Sequence, residues 1–114
     1  MVNQYRSLGK TTVAPEVLVS ICQLATLSVD GVSRMAAGPK DVNSFLKRTT
    51  SDGVKLVVED NVVLVDLFVI LKREVKVVEV SHLIQEQVAR EITEMVGMEI
   101  GRINIHVEDI DFGE

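Results

Sequence analysis

The stretch from Val62 to Lys72 constrains this chain most, because it is apolar on both sides when read as a β-strand, whose successive residues point to opposite faces. One face carries Val63, Val65, Leu67, Val69 and Leu71. The other carries Val62, Leu64, Phe68 and Ile70, interrupted by Asp66. One layer of helices covers only one of these faces. We therefore expect this strand to be central in a sheet.

The rest of the pattern predicts one α/β domain over residues 1–114. The predicted elements are a strand over 7–13, a helix from Pro15 to about Ser28, a hairpin over 54–59 and 62–72, a helix from about Val78 to Gly97, and a last strand around Ile103 to Glu108. Residues 33–52 are interpreted as a long flexible connection with one helical turn at 42–46. This order is the split βαβ pattern of ferredoxin-like folds, an antiparallel sheet with both helices on one face.

Composition excludes several classes of protein. The 114 residues include 21 Val and 8 Ile but no Trp, which favours strands and an aliphatic core. The longest apolar run, Leu67 to Leu71, is far shorter than the roughly 20 residues that span a bilayer, so we expect no membrane span. The first ten residues lack the apolar segment of a secretory signal, which predicts a cytoplasmic location.

Charge argues against nucleic acid as a partner. The net charge is −5, and residues 58–114 hold thirteen acidic against five basic side chains. Such an acidic half repels phosphates. The sequence also lacks the Gly-x-x-Gly loop of KH domains and the stacking aromatics of RNA-recognition sheets.

Candidate catalytic and metal-binding residues have simpler interpretations. Cys22 lies on an apolar helix face and is interpreted as a buried small hydrophobe. Glu79, His82 and Glu86 share one face of the second helix, but the second Glu-x-x-His motif that di-iron bundles need is absent. We predict no catalytic residue, no cofactor and no metal.

Asp66 is the polar residue that most requires an explanation, because a carboxylate in a central strand costs free energy unless it is paired or hydrated. Three interpretations stay open: a catalytic group with His106 on the same face, a pair with Lys55, Arg102 or a partner chain, or simple exposure to solvent. The first of these leads to the alternative function, a small-molecule-binding or enzymatic domain that uses the open sheet face around Asp66.

The sheet face without helices predicts a surface for self-association or a protein partner. We define this open-face patch by the residues Val57, Leu64, Asp66, Phe68 and Ile70. The alternative is that the long connection folds over this face.

Short, mostly apolar segments with a characteristic order are spread over nearly the whole chain. They are Gly9-Lys10, Val13-Ala14-Pro15-Glu16-Val17, Val29-Asp30-Gly31-Val32, Gly53-Val54-Lys55-Leu56, Val65-Asp66-Leu67, Ile84-Gln85, Met95-Val96-Gly97-Met98, and Val107 after Asn104. Their order and spacing resemble the alkaline-shock protein family, the envelope stress response proteins of mainly Gram-positive bacteria.

The resemblance implies a small, non-enzymatic protein of the envelope stress response without a membrane span. It also implies a homo-oligomer near the cytoplasmic membrane face, held there by a separate membrane-anchoring protein. No catalytic residue is carried over, and Asp66, Gln85 and Gly97 match positions with an implied structural role. Many relatives have Tyr-Gly and a helix-opening Pro where this chain has Arg73-Glu74 and Val78, so the turn before the second helix is expected to differ.

Overall fold

The structure, a computed structural model, describes residues 8–37, 49–51 and 53–113. Its elements are α1 (Pro15–Leu27), β1 (Val32–Met35), β2 (Thr49–Ser51), β3 (Val54–Glu59), β4 (Val62–Lys72), α2 (Val77–Val96) and β5 (Glu99–Asp111). The predicted α/β class is confirmed. Two helices accompany a sheet in which β1 to β4 pair antiparallel.

The central position predicted for β4 is confirmed. Its first residues pair with β3, and its last residues pair with β1. Over its whole length β4 also pairs with β5. No other described strand has three partners, and β4 is therefore the strand on which the rest of the sheet is assembled.

The strands β1 and β3 meet end to end at Phe68 of β4. The main-chain N–H of Ala36, just after β1, donates to the Phe68 carbonyl at 2.8 Å, and the Phe68 N–H donates to the Gly53 carbonyl at 2.8 Å. Gly53 has a φ of +82°, and a Cβ atom there would lie 2.6 Å from the Ala36 carbonyl oxygen and 2.7 Å from that of Phe68. Only glycine fits this junction.

The core lies between the sheet and both helices, on one face, as predicted. The β4 residues that face the helices are fully buried: Val63, Val65, Leu67, Val69 and Leu71. The helix α2 buries a stripe at four-residue spacing against them: Val80, Ile84, Val88 and Ile92. Burial of each such side chain stabilises the fold by about 1.5–3 kcal/mol relative to exposure.

Local sequence signals place the turns correctly. Asp60 and Asn61, between β3 and β4, both have positive φ (51° and 67°), which is the conformation of a two-residue hairpin turn. Gly97 ends α2 in the left-handed conformation at φ 76°. The predicted hairpin and the predicted helix end are confirmed.

Two predictions at the start of the chain are wrong. Residues 8–13 form no strand, and Leu8 to Val13 are exposed. The first strand of the sheet is β1, which lies mostly within the predicted connection over 33–52. The same predicted connection also contains β2. With only four residues, β1 shows no period in the sequence, and its pairing with β4 decides its conformation. The predicted helical turn at 42–46 lies outside the described residues.

The last strand pairs differently from a split βαβ pattern. No strand is inserted between β4 and β5; they are direct neighbours and run parallel, with α2 as the crossover between them. β5 is also longer than predicted because β4 supports it from Glu99 onward. The sheet is therefore antiparallel except for this pair.

The turn before α2 accommodates the residues that depart from the family pattern. Glu74 takes a φ of +64°, a left-handed conformation that glycine adopts most readily. Val78 lies in the first turn of α2, where main-chain N–H groups have no partner within the helix and Pro is not required. The helix thus begins at Val77 despite both differences.

Candidate functional site

The five residues of the open-face patch lie on the same side of the sheet, away from the helices. In β4 they alternate with the buried residues of the core, and Val57 of β3 lies opposite Leu64. Val57, Leu64, Asp66 and Ile70 are partly exposed, whereas Phe68 is only 7% exposed. The patch is therefore an apolar surface around a covered aromatic ring.

His106 of β5 covers the ring of Phe68. The two residues are opposite in the β4–β5 register, and their rings stack with centroids 4.5 Å apart and planes 12° apart. The sequence predicted that His106 faces away from the helices, but it contained no indication of the stacking partner. That contact depends on the parallel pairing of β4 with β5, which was not predicted.

Asp66 forms a hydrogen-bonded cluster with two residues of β5. Its Oδ1 accepts a hydrogen bond from the Asn104 amide at 3.1 Å and lies 2.9 Å from His106 Nε2. Lys55 lies opposite Asp66 on β3 but makes no ion pair with it. Asp66 is therefore paired within the chain, with His106 and Asn104 instead of Lys55 or Arg102.

The cluster lowers the pKa of Asp66 below its ordinary value of 3.8. Partial burial by itself raises this pKa, but the hydrogen bonds from His106 and Asn104, together with the attraction of His106 and Lys55, outweigh that effect. Asp66 is therefore ionised at neutral pH, and its carboxylate acts as a hydrogen-bond acceptor.

This pKa shift predicts a specific pH dependence of stability. Because folding lowers the pKa of Asp66, its carboxylate stabilises the fold above pH 3.8, and that contribution is lost as the pH falls through the lowered value. We expect Asp66→Asn to reduce the free energy of unfolding by about 1 kcal/mol at neutral pH. Urea unfolding at neutral pH and well below pH 3.8 measures the difference, which shrinks in acid.

Glu94→Gln is the control for this prediction, because Glu94 is exposed on α2 and its side chain has no partner among the described residues. Its effect is expected to be small at every pH. A deficit of Asp66→Asn that persists unchanged in acid contradicts the assignment to the ionised carboxylate.

A second polar contact crosses the end of the open face. Asp111 of β5 accepts a hydrogen bond from the Ser33 hydroxyl at 2.5 Å and pairs with Arg34 at 3.3 Å, both from β1. The Ser33 hydrogen bond, with one from the Gly113 N–H and the charge of Arg34, lowers the pKa of Asp111. β1 and β5, which do not pair with each other, are linked in this way across β4.

Cys22 and the three α2 residues considered for chemistry do not assemble into a site. Cys22 is fully buried in the core, and burial raises the pKa of its thiol to about 12, as expected of a small hydrophobe. Glu79, His82 and Glu86 are all exposed on α2, and the described residues contain no metal-binding group of three such side chains. The cleft between the helices, where Leu24 and Met95 line the walls, does not include Asp66.

A side-chain hydrogen bond links the helix α2 to β5. Gln85 donates from its amide to the main-chain carbonyl of Ile103 at 3.0 Å. This contact gives Gln85 the structural role that the resemblance implied. None of the described helices is both long enough and apolar enough to cross a membrane.

Comparison with known proteins gives one family and uncharacterised relatives. Residues 3–112 match the model of the alkaline-shock protein family, which is described as having a cell envelope-related function. The uncharacterized protein YqhY of Bacillus subtilis is 33% identical over 109 residues, which cover 92% of this chain and 79% of the relative. The uncharacterized protein Spy1535 of Streptococcus pyogenes is 38% identical over 104 residues, which cover 90% and 80%.

No solved structure matches the chain significantly. The family match covers nearly all of the sequence, and both relatives exceed 30% identity over most of their own length. The resemblance found from short segments is thereby confirmed. The chain belongs to the alkaline-shock protein family, whose described function is cell envelope-related.

Proposed function

We propose that this protein is a non-enzymatic structural component of the envelope stress response that self-associates through the open-face patch. The observation that carries the proposal is the sheet face opposite the helices, where Val57, Leu64 and Ile70 stay partly exposed. Burial of three such side chains contributes several kcal/mol toward association, at about 25 cal/mol per Å² of apolar surface.

The chemistry of the same face supports an interaction role over catalysis. Oδ1 of Asp66 is held within the sheet by Asn104 and His106. A general base needs access to a bound substrate, and neither the cleft between the helices nor the cleft lined by Pro15 and Leu18 includes this pair. The cluster therefore serves to hold β5 against β4 and to shape the patch.

The proposed location rests on the family. The family has a cell envelope-related function, and we propose that a membrane-anchoring protein holds this protein at the cytoplasmic face. We expect the protein in the membrane fraction of gently lysed cells, released by high salt or mild detergent. Complete recovery in the soluble fraction contradicts this part of the proposal.

Self-association is tested with Val57→Lys. A lysine at this partly exposed position can extend its charge into water in the monomer, so the fold tolerates it, but the charge is costly inside an interface. We expect sedimentation velocity to show an oligomer for the unmodified protein and a shift to a smaller species for the variant.

Leu83→Lys is the matched control, because Leu83 is an apolar residue of α2 with 49% exposure on the other side of the molecule. It is expected to leave the oligomer intact. Equal effects of the two substitutions, or a monomer before any substitution, argue against the open-face patch as the interface. Phe68 is unsuitable for this test because it is buried under His106.

A further inference from the structure

The outer edge of β5 offers main-chain groups for pairing. Among the described strands, β5 pairs only with β4. The Ile103 carbonyl accepts from Gln85 of α2 and therefore points away from β4. Because main-chain groups of successive residues alternate between the two sides of a strand, those of Ile105 and Val107 also point outward.

The edge is regular and nearly uncharged over its central part. The β4–β5 register is unbroken from Arg102 to Val107, and shifts occur only on either side of this stretch. It contains no proline, and Arg102 is its only residue with a permanent charge. Natural edges are usually blunted by charges, prolines or bulges, and this stretch has few of those features.

We propose that β5 pairs antiparallel with β5 of a second copy of this chain, with Ile105 at the two-fold axis. In this register Ile103 of each copy lies opposite Val107 of the other, on the helix side, where both are half-buried in the single chain. Asn104 lies opposite His106 on the open face. The inference rests on the self-association proposed above, and it assigns to that self-association a second surface that is separate from the open-face patch.

Charge selects both the partner and the register. With Ile105 at the axis, Arg102 of each copy lies opposite Glu108 of the other, and both side chains are exposed and without an ion pair among the described residues. With Asn104 at the axis, Arg102 lies opposite His106 and the complementarity is lost. The Gln85 hydrogen bond is compatible with pairing, because a carbonyl oxygen accepts two hydrogen bonds.

Charge reversal tests the register. We expect Arg102→Glu or Glu108→Arg to raise the dissociation constant of the pair about tenfold, because two ion pairs per dimer become repulsive. The double variant Arg102→Glu with Glu108→Arg restores the affinity, which loss of folding cannot imitate. Sedimentation equilibrium measures all four proteins. No change in the single variants, or no recovery in the double variant, overturns the proposal.

Proline tests the edge itself. Ile105→Pro removes an N–H that points outward, which edge strands tolerate, whereas Ile105→Ala removes the side chain and keeps the N–H. We expect dissociation with Pro and a weaker effect with Ala, with circular dichroism showing both folded.

If Val57→Lys dissociates the protein and Ile105→Pro does not, the open-face patch stands and the edge is excluded. The reverse result excludes the patch and supports the edge.

Discussion

Replacement of Gly53 by alanine is expected to destabilise the fold by about 3–5 kcal/mol, a large part of the stability of a small domain. The added Cβ atom lies 2.6 and 2.7 Å from two carbonyl oxygens that belong to hydrogen-bonded main chain. The Phe68 oxygen cannot withdraw without weakening the hydrogen bond that it accepts from the Ala36 N–H, and the Ala36 oxygen belongs to the residue that donates this bond. The positive φ adds strain of its own.

Gly97→Ala separates these two causes. Gly97 has nearly the same φ, +76°, but its added Cβ atom meets nothing within 4 Å. We expect Gly97→Ala to reduce the free energy of unfolding by only about 1 kcal/mol, which is the cost of the left-handed conformation for alanine. Urea unfolding of both variants gives the comparison. Equal losses would show that strain alone acts at Gly53 and that the junction of β1 and β3 accommodates a methyl group.

Leu67→Ala is expected to cost about 2–5 kcal/mol, because Leu67 is fully buried at the centre of β4 beneath the helices. The loss combines the transfer of the removed methyl groups with the cavity left between layers that cannot close. Thermal unfolding followed by circular dichroism measures it, with urea unfolding as a second estimate of the same free energy.

Leu24→Ala is the matched control for this loss. Leu24 is the same residue type, but it is 70% exposed on α1. We expect a change within about 0.5 kcal/mol. A comparable loss at both positions would mean that α1 is buried against something beyond the single chain. A small loss at Leu67 would contradict the central place of β4 in the core.

Elements with a long hydrophobic period were predictable from the sequence. The stripe of α2 repeats over twenty residues, and the two apolar faces of β4 are compatible only with a central strand. The Asp60-Asn61 turn follows from residues that tolerate positive φ. In each case the local preference and the final packing agree.

Features that depend on pairing over long distances were not predictable. β1 has four residues, and its conformation is decided by Leu71, Ile70 and Val69 across the sheet. The predicted strand over 7–13 has an apolar period too weak to compete with β1 for a place beside β4. The neighbour of β5 is likewise chosen by the crossover through α2, and a strand's own residues do not record which strand it will pair with.

The same distinction applies to the open face. Alternation along β4 was sufficient to place Leu64, Asp66, Phe68 and Ile70 on one side. The contacts of Asp66 and Phe68 with His106 required the β4–β5 register, because a shift by one residue moves every side chain to the other face. The alternation along β4 determined the face on which each of these residues lies, and the register with β5 determined their partners.

Because of the junction at Phe68, the sheet does not depend on the number of residues that connect β1 to β2. Ala36 and Gly53 are both hydrogen-bonded to Phe68, so two positions that are far apart in the sequence are held beside each other. In general, the entropy of closing a chain segment between two fixed points rises slowly, by about 0.6 kcal/mol for each doubling of its length. We therefore expect a change in the number of residues between Ala36 and β2 to cost little, while Gly53 is not free to change.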